Sequence, residues 1–148
     1  MTNELLWENE HSMPTKNHTT KQSYHILIVD DDREIARVLS IALKGAGYVT
    51  TVAKDGNEGL AVAEAQLPDL IVLDMMMPRR SGFLVLERLL QSLANPIPVI
   101  MLTGNHGDRH RTYAEMLGVE AYFYKPVKLP LLLEKVSEIL TRSETSNE

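Results

Sequence analysis

The sequence of 148 residues contains no cysteine. Disulfide bridges, thiolate nucleophiles and cysteine-ligated metal sites are therefore excluded. Basic residues are also in the minority, because 15 lysines and arginines stand against 20 acidic residues, for a formal net charge of −5. Non-specific binding to nucleic acid needs a basic face. The charge balance therefore argues against a direct nucleic-acid partner.

Long apolar runs are absent as well. No stretch approaches the roughly 18 consecutive apolar residues that indicate a membrane span. Residues 1–23 have acidic and polar side chains where a signal peptide has an apolar centre. What the chain does have is a globular composition, with 44% apolar and 24% charged residues, in a length that suits one domain plus tails. We therefore expect a cytoplasmic protein that does not contact a membrane.

Polar segments flank the predicted domain. Residues 1–23 are rich in Thr, Asn, Lys and His, lack periodicity and are predicted to form a disordered N-terminal tail. The stretch ELLWE (4–8) within them is either a small docking motif or a few apolar residues in a disordered arm, and we prefer the second interpretation. The domain is placed at residues 24–141, with a C-terminal tail at 142–148.

Short apolar runs alternate with segments of helical periodicity between these tails. Strands are predicted over residues 25–29, 48–53, 69–73, 97–102 and 120–124. Helices are predicted over residues 33–47, 55–66, 81–93, 105–118 and 129–140. Continuous apolar strands separated by helices are typical of a parallel sheet covered on both faces. The pattern therefore predicts an α/β fold with a doubly wound sheet of five parallel strands, whose ligands bind beyond the carboxyl ends of the strands.

Polar residues stand at those carboxyl ends. They are Asp30, Asp31 and Asp32 after the first strand, Asp74 after the third, Thr103 after the fourth and Lys125 after the fifth. Converging carboxylates repel one another unless a cation binds them, and Mg²⁺ prefers oxygen ligands. A lysine and a threonine hydroxyl can bind phosphoryl oxygens, and a carboxylate such as Asp74 can itself be the nucleophile. The sequence therefore predicts a Mg²⁺ and phosphoryl site, with a helix cap as the alternative role of Asp32.

Four stretches resemble the receiver domain of bacterial two-component response regulators. They are ILIVDDD, LIVLDMMMPRRSG, VIMLTG and YFYKPV, and the resemblance covers about residues 24–141. It implies the flavodoxin-like (βα)5 fold with strand order 2-1-3-4-5. It also implies a phosphoacceptor protein of a phosphorelay rather than an enzyme with multiple turnover.

The resemblance assigns the metal site by position. Asp31 and Asp74 would bind Mg²⁺ directly, Asp30 would assist through water, and the backbone carbonyl of Met76 would be a further ligand. Met75 and Met77 are interpreted as packing residues.

The resemblance also assigns the phosphoryl chemistry. Asp74 would be the phosphoacceptor, Thr103 and Lys125 would contact the phosphoryl group, and Tyr122 would be the aromatic switch that swings inward as Thr103 shifts. The Lys125-Pro126 bond is a candidate for the cis isomer that receivers commonly have.

The partner implied by the resemblance is a sensor histidine kinase or a histidine phosphotransfer protein. Docking is expected near the first helix through Ile35, Val38 and Pro126, although Ile35 and Val38 can equally be ordinary core residues. The output face would comprise helix four, strand five and helix five, with a downstream protein target and a possible homodimer. Because the chain ends soon after helix five, a stand-alone response regulator is expected.

Alternatives remain at this point. One is a pseudo-receiver that binds partners without phosphate, which the intact Asp31, Asp74, Thr103 and Lys125 disfavour. Another is a phosphohydrolase with an aspartyl nucleophile, which usually has a second Asp where this chain has Met76. Arg79 and Arg80 are either a basic rim or a solvated loop. His106 and His110 are four residues apart, as helical metal ligands would be, but no third ligand is evident.

Overall fold

The computed structural model describes residues 23–77, 81–92, 96–104 and 107–145. Five strands alternate with five helices along this chain. The strands are β1 (His25–Val29), β2 (Val49–Ala53), β3 (Leu70–Asp74), β4 (Val99–Thr103) and β5 (Ala121–Tyr124). The helices are α1 (Arg33–Gly45), α2 (Gly56–Gln66), α3 (Gly82–Ser92), α4 (Asp108–Met116) and α5 (Leu129–Thr145).

The strands form one parallel sheet in the order β2-β1-β3-β4-β5, which confirms the predicted fold. Every residue of β3 and β4 is buried, because helices cover both faces of the centre of the sheet. This burial explains why these strands are continuous apolar runs without polar alternation. The polar side chains that end them therefore come from a rigid, fully packed base.

Two separate hydrophobic clusters lie on the two faces of the sheet. Helices α2, α3 and α4 pack on one face, around residues such as Leu73, Leu86 and Met101. Helices α1 and α5 pack on the other, around residues such as Ile28 and Ile100. Alternate residues of each strand point into alternate clusters, as the two-residue period of a strand requires. The sheet is thus doubly wound, as predicted.

Aspartates fix the starts of the first two helices. Asp32 accepts hydrogen bonds from the backbone N–H groups of Glu34 and Ile35, at 3.0 and 3.2 Å. Asp55 accepts one from the N–H of Glu58 at 2.8 Å. These side chains satisfy helix donors that have no partner within the helix. Asp32 is therefore a helix cap, which was the alternative role considered for it.

Two helices differ from the sequence prediction by more than two residues at one end. Helix α4 is shorter than the predicted range 105–118, because Gly118 has φ 96° in the left-handed region, which ends the helix. Helix α5 continues to Thr145, so residues 142–145 are helical and do not belong to a tail. No glycine or proline follows Pro130 before Thr145, and nothing in that segment interrupts the helix. Four strands begin one or two residues after their predicted starts, at Val49, Leu70, Val99 and Ala121.

Within the part of the chain that has been described, no helix combines the length and apolar character that crossing a membrane would require.

The start of α3 lies directly against the end of β3. The N–H of Gly82 donates a hydrogen bond to the carbonyl oxygen of Met75 at 2.8 Å. A Cβ atom on Gly82 would lie 2.4 Å from the carbonyl oxygen of Asp74 and 2.7 Å from the Cα of Met75. Both are backbone atoms, which cannot move aside as a flexible side chain can. Only glycine therefore fits at this contact.

We predict that Gly82→Ala destabilises the protein, although alanine is the better helix former. The added methyl group must push apart the backbones of α3 and β3, and such overpacking typically lowers the free energy of unfolding by about 1–3 kcal/mol. Gly45→Ala is the matched control, because a Cβ there has no atom within 4 Å. It should be neutral or stabilise by up to about 1 kcal/mol. Urea denaturation followed by far-UV circular dichroism measures both, and equal effects would contradict the steric explanation.

Candidate functional site

Three carboxylates converge at the carboxyl edge of the sheet. Asp74 is the last residue of β3, and Asp30 and Asp31 directly follow β1, its neighbour in the sheet. One oxygen from each of the three side chains lies within 4.8 Å of the others. Asp30 and Asp74 are each only 2% exposed, whereas Asp31 is open to solvent. Sequence analysis expected this convergence, and the sheet order brings it about.

Lys125 connects the two buried acids. Its ammonium nitrogen lies 3.0 Å from Oδ2 of Asp30 and 3.3 Å from Oδ1 of Asp74. The backbone holds Lys125 in place, because its N–H donates to the carbonyl of Thr103 at 2.7 Å. The bond from Lys125 to Pro126 is cis, as predicted. Lys125 therefore partly neutralises the carboxylates with which it is in contact.

Backbone N–H groups orient the same two carboxylates. Oδ1 of Asp30 accepts a hydrogen bond from the N–H of Asp32 at 2.9 Å. Oδ1 of Asp74 accepts one from the N–H of Met76 at 3.3 Å. Each buried acid thus has one backbone donor and contacts the lysine.

The surroundings of Asp74 raise its pKa from 3.8 to about 6. Burial is the largest cause, and the negative charge of Asp30 adds to it. Lys125 and the N–H of Met76 oppose the shift but do not cancel it. Burial acts against protonation of Lys125, yet its hydrogen bond to Asp30 and the charge of Asp74 outweigh that effect and raise its pKa. The pocket is therefore short of positive charge even with the lysine in place.

The donor set fits a hard divalent cation. Carboxylate oxygens are the ligands that Mg²⁺ prefers, and Mg²⁺ commonly binds through one or two of them while keeping several waters. A cation near Asp30, Asp31 and Asp74 would offset the repulsion by Asp30 that adds to the effect of burial on the pKa of Asp74. The backbone carbonyl of Met76 as a further metal ligand stays a prediction. The Met76 side chain is 58% exposed.

Thr103 and Tyr122 lie together beside the acids. Thr103 ends β4 and is fully buried, and Tyr122 on β5 is 8% exposed, so its ring is turned inward. Burial raises the pKa of the Tyr122 hydroxyl, and a hydrogen bond with the Thr103 side chain partly opposes this. The Tyr122 hydroxyl also donates to Sδ of Met75 at 3.4 Å. Tyr122 therefore contacts both Thr103, the other predicted switch residue, and Met75, the residue after Asp74.

The predicted docking residues line a groove next to Lys125. Ile35, Val38 and Pro126 border this groove of about 300 Å³, together with apolar residues of α1 and α5. Val38 is 50% exposed and so is not a core residue, whereas Ile35 is half-buried and packs against the core. Pro78, Arg79, Arg80, Asn105 and His106 lie outside the described residues.

Three features of the site were missed by sequence analysis. The ion pair of Lys125 with Asp30 was not expected, because the lysine was assigned only to phosphoryl oxygens. The contact between Tyr122 and Met75 was also missed, because Met75 was interpreted only as packing. The close approach of Gly82 to the Asp74 carbonyl was the third. A glycine eight residues after an aspartate gives no signal of contact until the turn between them is known.

Comparison with known proteins identifies matching domains. Residues 26–137 match the family model of the response regulator receiver domain. The alkaline phosphatase synthesis transcriptional regulatory protein PhoP of Bacillus subtilis is 38% identical over 119 residues, which are 80% of this chain and 49% of that protein. The probable transcriptional regulator ycf27 of Cyanidium caldarium is 33% identical over 135 residues, 91% of this chain and 53% of the relative. The chain thus spans about half the length of these curated relatives.

Solved structures match over nearly their whole length. A CheY-like response regulator receiver domain protein from Methanospirillum hungatei superposes with a TM-score of 0.78 at 33% identity, covering 83% of this chain and 98% of that one. The chemotaxis protein CheY4 of Vibrio cholerae superposes with a TM-score of 0.74 at 30% identity, covering 80% and 99%. The relatedness therefore concerns the described domain itself.

We predict that Asp74→Asn stabilises the metal-free protein near neutral pH. The pKa of Asp74 is about 6 in the folded chain, against an ordinary value of 3.8. Because the raised pKa lies in the folded state, wild-type stability falls as pH rises from about 4 to about 6, and asparagine has no charge to develop. The advantage of the variant should therefore be largest above pH 6 and fade towards pH 4.

Urea denaturation in the presence of a chelator, at several pH values, measures this difference. Asp55→Asn is the control, because Asp55 lies outside the cluster and asparagine caps a helix about as well as aspartate. An advantage of Asp74→Asn that is equal at pH 4 and pH 7 would contradict the raised pKa.

Proposed function

The chain belongs to the response regulator receiver domain family, whose members act in phosphorylation-based signalling, and from this membership we propose that Asp74 is its phosphoacceptor. The donor is a phosphohistidine of a sensor kinase or of a histidine phosphotransfer protein, and the reaction depends on Mg²⁺. The observation that carries the proposal is the contact of Lys125 with both buried acids, because it places a cation beside the one carboxylate that ends a central strand.

Asp74 is suited to attack phosphorus. A carboxylate oxygen forms the new O–P bond while the P–N bond to the donor imidazole breaks and the imidazole keeps the electron pair. Asp31 and Asp74 would hold Mg²⁺ directly and Asp30 would assist through water, and the bound ion would supply positive charge for the phosphoryl oxygens. Lys125 offers its ammonium group to the same oxygens, and the Thr103 hydroxyl can donate to one of them. Because phosphoryl transfer converts the Asp74 carboxylate to an acyl phosphate, the phosphoryl group stays on the protein and is not released as a free product.

The groove beside Lys125 is proposed as the place where the phosphohistidine protein docks. Val38 and Pro126 expose apolar surface within reach of the acids. The phosphodonor must approach the carboxyl edge of the sheet, and this groove lies at that edge. Sequence assigned Ile35, Val38 and Pro126 to docking, and their shared position supports the assignment.

Thr103 and Tyr122 are proposed as the switch. A phosphoryl group on Asp74 attracts the Thr103 hydroxyl and thereby favours the inward position of Tyr122 over an outward one. Phosphorylation thus shifts a pre-existing equilibrium between the two positions. The output face comprises α4, β5 and α5, where a downstream protein or a second copy would bind. The stand-alone role expected from the sequence stays a prediction, because the curated relatives are about twice as long and two of them are named transcriptional regulators.

We predict that acetyl phosphate adds one phosphoryl group to the protein only when Mg²⁺ is present. Intact-mass spectrometry measures the gain. Asp74→Asn should abolish it, because the amide is a poor nucleophile, and Asp55→Asn should preserve it. Val38→Asp should also preserve it, since a small donor needs no docking groove.

Failure of the wild type to gain mass, while a known receiver reacts in the same tube, would contradict the proposal if beryllium fluoride also fails to bind. Binding of beryllium fluoride without a gain in mass would indicate a phosphoryl group too short-lived to trap.

We predict that Met75→Leu weakens binding of beryllium fluoride. Leucine preserves the volume of the side chain but removes the sulfur that accepts from Tyr122, so the inward tyrosine loses a partner. Loss of a buried hydrogen bond of about 1 kcal/mol corresponds to roughly a fivefold change in affinity. In a Tyr122→Phe background the substitution should have almost no effect. An equal effect in both backgrounds would show that the sulfur does not act through the tyrosine hydroxyl.

A further inference from the structure

A second cavity lies at the opposite edge of the sheet from the acids. It has a volume of about 380 Å³, within the range of roughly 300–1,000 Å³ typical of binding pockets. Apolar side chains in its walls include Leu86 and Leu90 of α3, Ile97 before β4 and Ile139 of α5, and polar groups make up the rest of the lining. We call it the basal cavity, because it lies where β4 and β5 begin.

One ion pair borders the basal cavity. Arg142 of α5 contacts Oε2 of Glu120 at 2.6 Å, and the arginine side chain is 55% exposed. On the wall beside it, Leu90 exposes 39% of its surface although it is a large apolar side chain. Exposed ion pairs of this kind are weak, so the half-exposed Arg142 can exchange Glu120 for an acid that flanks an apolar segment in the cavity.

The N-terminal arm enters the domain next to this cavity. His25 begins β1, and the N–H of Asp69 donates to its carbonyl at 2.7 Å. On the next strand, the N–H of Ile71 donates to the carbonyl of Pro98, which lines the cavity, at 2.9 Å. The arm therefore joins the sheet only two strand spacings from the cavity wall, a distance of about 10 Å.

The packing of Tyr24 also places the start of β1 near the basal cavity. Tyr24, the residue before β1, packs against the hydrophobic cluster that contains Ile139. Ile139 lines the basal cavity as well. Tyr24 and the cavity thus share one packing neighbour cluster.

One stretch of the arm matches the cavity chemically. Leu5, Leu6 and Trp7 form the only run of three apolar residues in positions 1–22, and Glu4 and Glu8 flank it. We propose that the segment Leu5–Trp7 of this chain occupies the basal cavity, with its acidic neighbours on the side of Arg142. Of the two sequence interpretations of ELLWE, the proposal takes the docking motif, and it does not depend on the proposed phosphotransfer.

The tether is long enough for this contact. Residues 8–22 separate Trp7 from Ser23, and 15 residues span up to about 50 Å when extended. Because both partners belong to one chain, the effective concentration of the segment is of the order of millimolar, so the contact needs only a dissociation constant below about 1 mM to be occupied most of the time.

Trp7 is the only tryptophan, and it reports the contact directly. In the full chain we expect its emission to be shifted to shorter wavelength, and its quenching by acrylamide to be several-fold weaker, than in the same chain unfolded in urea. Leu90→Arg should abolish both differences, because it places a charge in the cavity wall. Leu84→Arg is the matched control on the same helix, since Leu84 is 52% exposed and does not line the cavity. Circular dichroism verifies that both variants fold.

A second substitution approaches the contact from the arm. Leu5→Ser together with Leu6→Ser leaves Trp7 and the domain intact and should increase acrylamide quenching as Leu90→Arg does. Three results would overturn the proposal. The first is Trp7 emission and quenching equal to those of the unfolded chain. The second is a shielded Trp7 whose quenching does not change in Leu90→Arg. The third is shielding that increases with protein concentration, which would identify a second copy as the occupant.

Discussion

The contact of one ammonium group with two buried carboxylates is the interaction on which the described site depends. Asp30 and Asp74 come from neighbouring strands and lie almost wholly away from water, where two negative charges repel strongly. Lys125 reaches both of them from the far strand of the sheet, two strands away from β3. The site therefore exists only when β1, β3, β4 and β5 are assembled in this order. Its remaining shortage of positive charge is the physical reason for a site that can accept a divalent cation.

The backbone around Asp74 keeps this arrangement rigid. The strand that carries it is buried along its whole length, and the next residue donates its N–H to Leu102 of β4 at 2.8 Å. The chain then returns to the same point, where Gly82 lies against the Asp74 carbonyl. Asp74 is thus fixed from the strand side and from the helix side. As the proposed phosphoacceptor, Asp74 benefits from this rigidity, because little ordering remains for the moment of transfer.

The sequence predicted the order of elements, the parallel sheet and the edge at which the polar residues meet. It did so because strand ends of a doubly wound sheet share one edge, so Asp30, Asp31 and Asp74 needed no further information to be grouped. It could not predict contacts that depend on the path of a loop, such as Gly82 against Asp74. Nor could it predict which acid Lys125 binds, since this depends on side-chain reach across β4. The sequence prediction ended α5 at residue 140, five residues too early, because a helix that is not followed by glycine or proline has no clear stop in its sequence.

The two hydrophobic clusters have a consequence for how such a protein can diverge. The groove lined by Val38 lies on the face covered by α1 and α5, whereas Tyr122 packs into the cluster under α2, α3 and α4. The sheet separates the two, and only the acids at its edge are close to both. Substitutions of Val38 in the groove therefore do not touch the packing around Tyr122. A duplicated copy of the gene can vary the groove surface of α1 and still retain the environment of this tyrosine.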